Sequence, residues 1–289
     1  MNARFWIMRV CQLIAGRFPG PFYHVAARIA RVTFRLRPGL RQKLIRNMEP
    51  FAGGDAPLAE RLARRCLENV CRYYVDLCSL PHRRMETFEE DHLELVHGER
   101  LAALQDAGPV VAISAHTGNA ELAIQALTYR GRPFVALVEA LRPPKFARYM
   151  RKLRSSTGGK FYEANFQGIR ACIETLHSGG LVGFMGDRDL QGNGLCTKLS
   201  GRCVRLPRGP WEIARKTNAM VFPIFTSRVD GDRFVVYVEE PFRVRRSENE
   251  ESDVAEAIER FAALLEAHLQ RDPGQWAVTE NFWKAHSCG

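Results

Sequence analysis

Up to Leu80, apolar positions recur three and four residues apart, the spacing of one helix face. Phe22, Val25, Ile29, Val32 and Leu36 form one such stripe. Leu58, Leu62, Cys66, Val70, Tyr74 and Leu77 form another, with Asp55 as its cap and Pro81 as its stop, and this second pattern predicts a packing helix. Residues 5–14, with Trp6, Met8, Val10 and Leu13, add an apolar run broken by Pro19 and Pro21. From about Leu93 the pattern changes to short β-rich runs alternating with helical ones. Strands are predicted at 109–114, 133–138, 181–185 and 220–227, with a later one at 234–239. The intervening helices fall at 119–130, 143–155, 166–176 and 210–217, and a last helix at 253–270. This alternation predicts an α/β fold with a single mixed, mostly parallel sheet flanked by helices. No repeat, low-complexity tract or linker divides it, so residues 1–50 are expected to be a helical segment belonging to the same domain as 51–289.

Charge changes this picture mainly at the N-terminus. The chain carries 42 Lys and Arg against 32 Asp and Glu, a net +10, which is consistent with an anionic partner. Residues 1–50 hold ten of the bases, from Arg4 to Arg46, against one acid, Glu49. Arg28, Arg31 and Arg35 project about a quarter-turn from the stripe that starts at Phe22. Two readings stay open. Either this helix lies in a lipid interface, with anionic headgroups worth about 1 kcal/mol per arginine, or it faces a core and solvates its basic side. No run reaches the roughly 18 to 20 uninterrupted apolar residues of a bilayer-spanning helix, so membrane involvement would be peripheral. Nucleic acid is disfavoured, because the basic residues interleave with aliphatic ones and no recognised binding motif is present. The eight cysteines show no CxxC pair, and Arg9 and Arg17 interrupt any signal peptide, so reduced cytoplasmic thiols are expected. Cys66, Cys71, Cys78 and His82 have spacings unsuited to a compact tetrahedral metal site.

Candidate chemistry centres on the turn after the strand at 109–114, which reads His116-Thr117-Gly118-Asn119-Ala120-Glu121. A histidine is the usual general base near neutral pH, and a nearby carboxylate can fix its tautomer and stabilise the imidazolium. The spacing alone proves little: with 32 acids in 289 residues and eight histidines, chance supplies roughly one such pair. The weight comes from context, since the carboxyl end of a strand in an open α/β sheet is where sites form. A second cluster, Gly186-Asp187-Arg188-Asp189, ends the apolar run 181–185 and leads into a glycine-rich stretch. Arg205-Leu206-Pro207-Arg208-Gly209-Pro210 then opens a helix whose first amides could receive an anion.

In this order the motifs resemble the bacterial acyltransferase superfamily that includes the late lipid A acyltransferases and the phosphatidylinositol mannoside acyltransferases. His116 and Glu121 match its His-x4-Glu motif, and 187–189 match its Asp-Arg-Asp element. Glu139 before Leu141-Arg142-Pro143, the stretch 206–210 and Phe222-Pro223 extend the likeness over about residues 90 to 230. The Gly-Asn-x-Glu and Asp-Arg-Asp forms look closest to the mannoside branch. One departure is Lys198-Leu199-Ser200-Gly201, where the family usually has Phe-Phe-Gly, and it puts the substrate in question.

The resemblance implies a glycerolipid acyltransferase-like fold and transfer of a fatty acyl group from acyl carrier protein or coenzyme A. The acceptor would be a hydroxyl of a membrane glycolipid, at the cytoplasmic face of the bacterial inner membrane. His116 and Glu121 are then the expected catalytic pair, with Glu139, Asp187, Arg188, Asp189 and Arg208 expected to bind substrate. Asp187 and Asp189 are expected to set the position of Arg188. No metal or cofactor is expected, because a thioester is already activated. Lys145, Arg148, Arg151, Lys152 and Arg154 form a basic helix face that an acidic carrier protein or anionic headgroups could use. Another lysolipid or amino-lipid acceptor, thioester hydrolysis and non-catalytic membrane binding are the competing readings. No Gly-x-Ser-x-Gly elbow supports a serine esterase.

Overall fold

The most continuous apolar runs become the middle of a sheet, as expected for strands covered on both faces. The computed structural model describes residues 12–104, 106–128 and 132–288. In chain order, α1 (Pro19–Leu36), α2 (Pro38–Met48), α3 (Ala56–Ser79) and α4 (Met85–His92) precede β1 (Leu93–Val96). Next come β2 (Val110–Ser114), α5 (Ala120–Thr128), β3 (Phe134–Val138), α6 (Pro144–Arg154), β4 (Lys160–Glu163), α7 (Phe166–His177) and β5 (Leu181–Met185). A hairpin of β6 (Leu195–Leu199) and β7 (Arg202–Leu206) leads to α8 (Gly209–Thr217), β8 (Met220–Asp230), β9 (Arg233–Val238) and β10 (Phe242–Arg243). The chain closes with α9 (Glu250–Arg271) and α10 (Phe282–Ala285).

Among the described residues the main sheet runs β1-β9-β8-β2-β5-β3-β4, with β10 on β8. All its neighbours are parallel except β8–β9 and β8–β10. The mixed, mostly parallel sheet flanked by helices is therefore present. Every residue of β2 is buried. One core, containing Val111, Ile113, Val182, Phe225, Phe261 and Trp211, also takes in Phe34, Leu44 and Ala63 of the first three helices. A second core, with Ala112, Phe134, Phe161 and Phe222, draws on the sheet and α5.

Packing decides which faces of the first helices are buried. In α3, Asp55 caps as expected, accepting from the Leu58 amide at 2.9 Å. Of the predicted face, Cys66 and Leu77 are buried and Leu58 and Leu62 pack partly buried against the core, joined by Ala59, Ala63 and Leu67, while Tyr74 is exposed. Helix α1 docks through Tyr23, Ala26, Ala27, Ala30 and Phe34. Small residues allow close approach to α3, and the larger aliphatics of the predicted stripe point outward: Val25 is 44% exposed, Ile29 and Val32 55%, and Leu36 73%. Leu13, Ile14 and Phe18 are exposed too. Residues 5–11 of the first apolar run lie outside the described residues. No helix among the described residues is long and apolar enough to cross a membrane.

Strands β1, β4, β6, β7 and β10 were not expected. The β6–β7 hairpin turns on Ser200 and Gly201, both at positive φ, the geometry of a tight two-residue loop. The departure at 198–201 is thus the turn of a separate two-stranded sheet. The cysteines also differ from a uniformly reduced set, because Cys196 on β6 is bonded to Cys288. Cys66, Cys71, Cys172 and Cys203 are free thiols.

Candidate active site

Strand register sets the site. Strands β2 and β5 are parallel neighbours with Ser114 opposite Met185, so His116 and Asp187, each two residues further on, lie side by side. His116 Nδ1 stands 2.8 Å from Asp187 Oδ1. Asp187 Oδ2 accepts the His116 amide at 3.1 Å and the Trp276 indole N–H at 2.9 Å. Burial opposes ionisation of Asp187, but the His116 ring and these hydrogen bonds outweigh it and hold the carboxyl down at about 2. An ionised carboxylate only accepts, so Nδ1 carries a proton, and in the neutral imidazole this tautomer keeps the lone pair on Nε2. Among the described residues Nε2 has no hydrogen-bond partner, and the His116 side chain is 33% exposed.

The turn that carries His116 is fixed from two sides. Gly118 has φ +53°, and a Cβ there would lie 2.6 Å from the Thr226 carbonyl oxygen, so glycine satisfies both backbone and space. Asn119 caps α5 by accepting the Leu122 amide at 3.0 Å, and its amide group donates to Asp76 at 2.7 Å. Asp76 is in turn ion-paired with the buried Arg228 and accepts from the Tyr23 hydroxyl at 2.6 Å. On the other side the segment after α9 straps the turn: Ala277 N donates to His116 O at 2.6 Å, and Gly118 N donates to Gln275 O at 3.1 Å.

Glu121, the expected partner of His116, lies elsewhere. It accepts Arg154 Nε at 2.9 Å and the Tyr73 hydroxyl at 2.7 Å, tying α5 to α6 and α3. The acid that meets the imidazole is Asp187, because residue 121 is already inside the helix that leads away from the sheet, whereas Asp187 leaves the adjacent strand. The rest of the second motif also divides. Arg188 reaches Glu280 at 2.5 Å and Glu139 at 3.5 Å, so these carboxylates hold it, in place of the expected Asp187 and Asp189. Asp189 accepts the amides of Gly192 at 3.0 Å and Gly194 at 2.9 Å and shapes the following loop. Arg208, which precedes α8, pairs with Glu212 of that helix at 2.5 Å, and no hydrogen bond or ion pair among the described residues joins it to the His116 cluster.

On the basic face of α6, Arg154 turns inward and Arg151 pairs with Glu163 at 3.3 Å, which leaves Lys145, Arg148 and Lys152 exposed. Trp276, Glu280, Asp76 and Arg228 had no assigned place in the sequence reading. Asp76 and Arg228 gave one signal, being charges within apolar periodic runs. Trp276 and Glu280 gave none, because they meet the site only through the tertiary path of the chain after α9.

A sequence profile of the bacterial lipid A biosynthesis acyltransferases matches residues 2–285. The chain belongs to that family. Similar curated proteins include the phosphatidylinositol mannoside acyltransferase of Mycolicibacterium smegmatis, 26% identical over 89% of this chain and 84% of that one. The protein of the same name from Mycobacterium tuberculosis is 27% identical over 86% and 79% of the two chains. A looser structural likeness, with TM-score 0.39 and 15% identity over 87% of this chain and 98% of the other, links it to the 1-acyl-sn-glycerophosphate acyltransferase of Thermotoga maritima. The protein is an acyltransferase, and the family sets its work in lipid biosynthesis.

Proposed function

We propose that this acyltransferase moves a fatty acyl group from an acyl thioester, on acyl carrier protein or coenzyme A, to a hydroxyl of a membrane glycolipid of the lipid A or phosphatidylinositol mannoside type. The observation that carries the mechanism is the His116–Asp187 pair, with Nδ1 bonded to an ionised buried carboxylate and Nε2 open. Nε2 takes the acceptor hydroxyl proton as the oxygen attacks the thioester carbonyl, and Asp187 stabilises the imidazolium that forms. The tetrahedral oxyanion collapses, expelling the thiolate, which recovers the proton from Nε2. Arg188 is oriented by Glu139 and Glu280, and its Nη2, without a partner among the described residues, is the group for the oxyanion or a substrate phosphate. No metal or cofactor is required in this scheme. Glu121 is a positioning residue that anchors the first turn of α5.

The outward aliphatic stripe of α1 supports peripheral attachment to an anionic membrane surface, which would be the cytoplasmic face of the inner membrane. The test is incubation of the purified protein with palmitoyl carrier protein or palmitoyl coenzyme A and a bacterial lipid extract. One glycolipid class gaining the mass of one acyl group is the expected result. Release of free fatty acid with no acylated lipid, even with acceptor in excess, would identify a hydrolase and overturn the transfer.

A further inference from the structure

On the flank of the outward stripe, Arg31, Phe34 and Arg35 of α1, Arg41 of α2, and Glu60 and Arg64 of α3 line a cavity of about 140 Å³. At about 30 Å³ per water, this has room for four or five waters and so for one tetrahedral phosphate. The Phe34 ring is buried beneath it, with the guanidinium carbons of Arg41 and Arg64 lying 5.6 and 5.8 Å from its centroid. Glu60 holds the same two arginines at 3.0 and 3.5 Å, and Glu68 lies 3.6 Å from Arg31. Arg35 has no ion-pair partner among the described residues. Four guanidiniums therefore meet two carboxylates, and each guanidinium has five N–H donors, of which a single carboxylate contact uses only a part.

We infer that this arginine pocket binds a phosphate group, with an anionic phospholipid headgroup as its source. The lipid source follows from position. Val25, Ile29, Val32 and Leu36 occupy the adjoining outward face of the same helix, so a phosphate seated among the arginines leaves its acyl chains beside exposed aliphatic side chains. Diffuse attraction of basic side chains to a membrane needs neither a cavity nor an aromatic floor that orients two of the guanidiniums. This inference rests on the membrane-surface reading above and is independent of the His116 chemistry.

Vesicle co-sedimentation tests it, using neutral phosphatidylcholine vesicles and the same vesicles doped with phosphatidylglycerol. Wild type is compared with Arg35→Gln, with Arg35→Gln/Arg64→Gln, and with Arg245→Gln/Arg246→Gln as an exposed pair of equal charge change. The pocket double variant should bind doped vesicles about thirtyfold more weakly, at about fivefold per arginine, while the control pair changes little. Arg35→Gln, whose residue has no ion pair to lose, should show a smaller loss in the same direction at unchanged Tm. Equal losses in pocket and control variants, or no loss in either, would overturn the pocket. Calorimetric binding of inorganic phosphate that Arg35→Gln abolishes, with vesicle binding intact, would overturn the lipid source in favour of a soluble phosphate. Acyl transfer to a detergent-dispersed acceptor should persist in the pocket variants. Vesicle binding without any acyl transfer by wild type would sink the proposed activity and leave the pocket standing.

Discussion

Asp187→Asn removes a charge with almost no change in volume, so it separates orientation of the imidazole from packing around it. Two of the three donors to Asp187, the His116 amide and the Trp276 indole, converge on Oδ2, so the asparagine carbonyl must take that place. Its NH2 group then faces Nδ1 of His116. Two donors cannot pair, and the ring keeps the contact only by moving its proton to Nε2, the atom that must accept the hydroxyl proton. The expected loss is that of general-base catalysis, about 10²- to 10⁴-fold in kcat, with KM little changed. Stability falls as well. Holding the carboxyl at about 2, against an ordinary 3.8, corresponds to about 2 kcal/mol in favour of the charged form. Because the folded-state pKa is depressed, this contribution is complete above the ordinary carboxylate range and is lost as pH falls toward 2, so a neutral-pH melt reads all of it. Steady-state acyl transfer paired with thermal melting is the assay. A folded Asp187→Asn protein with kcat within about tenfold of wild type would refute the assignment and put the orienting role elsewhere, with Glu121 the first residue to re-examine.

Three further outcomes are expected. Glu121→Gln leaves the nearly buried Arg154 without its counter-charge and should cost about 3 to 5 kcal/mol in denaturant unfolding, with kcat per folded molecule changed only a few-fold. A stable but inactive variant would contradict this. Burial, and then Arg271, hold His268 down at about 4 against an ordinary 6.5, so the unfolded chain takes up a proton that the folded chain refuses. Stability should therefore fall by about 1.4 kcal/mol per pH unit between 6.5 and about 4, and His268→Phe, which keeps the ring stacked on Phe225, should flatten that slope in pH-dependent melts. The double change Ile29→Asp/Val32→Asp alters two exposed positions, so it should weaken vesicle binding at unchanged Tm, and undiminished binding would remove the stripe from the membrane face.

Legibility in the sequence followed the range of the interactions. The runs 109–114, 133–138, 181–185 and 220–227 were legible because parallel strands covered on both faces need continuous apolar residues. The His116 turn was legible because it follows directly from one of them. The partner of that histidine was not, since local spacing offered Glu121 while the register of β2 on β5 brings up Asp187 from 71 positions away. Both motifs were visible, but the strand order that joins them was not. For α1 two readings stood open, and the structure removes the core-facing one: docking uses the alanines, which let the backbones approach, and leaves the larger aliphatics exposed. Hairpin β6–β7 did carry a signal, the alternation of Leu195, Thr197 and Leu199 before the Ser200-Gly201 turn. Trp276 and Glu280 carried none, because nothing local ties the end of the chain to the sheet.

The most direct measurement is the acyl-transfer rate of His116→Ala beside wild type, by mass spectrometry of the lipid product with both proteins shown to be folded by the same melt. A kcat lower by about 10²- to 10⁴-fold with substrate binding retained is the expected result. Transfer at the wild-type rate by the folded variant would contradict it, because no step would then depend on Nε2.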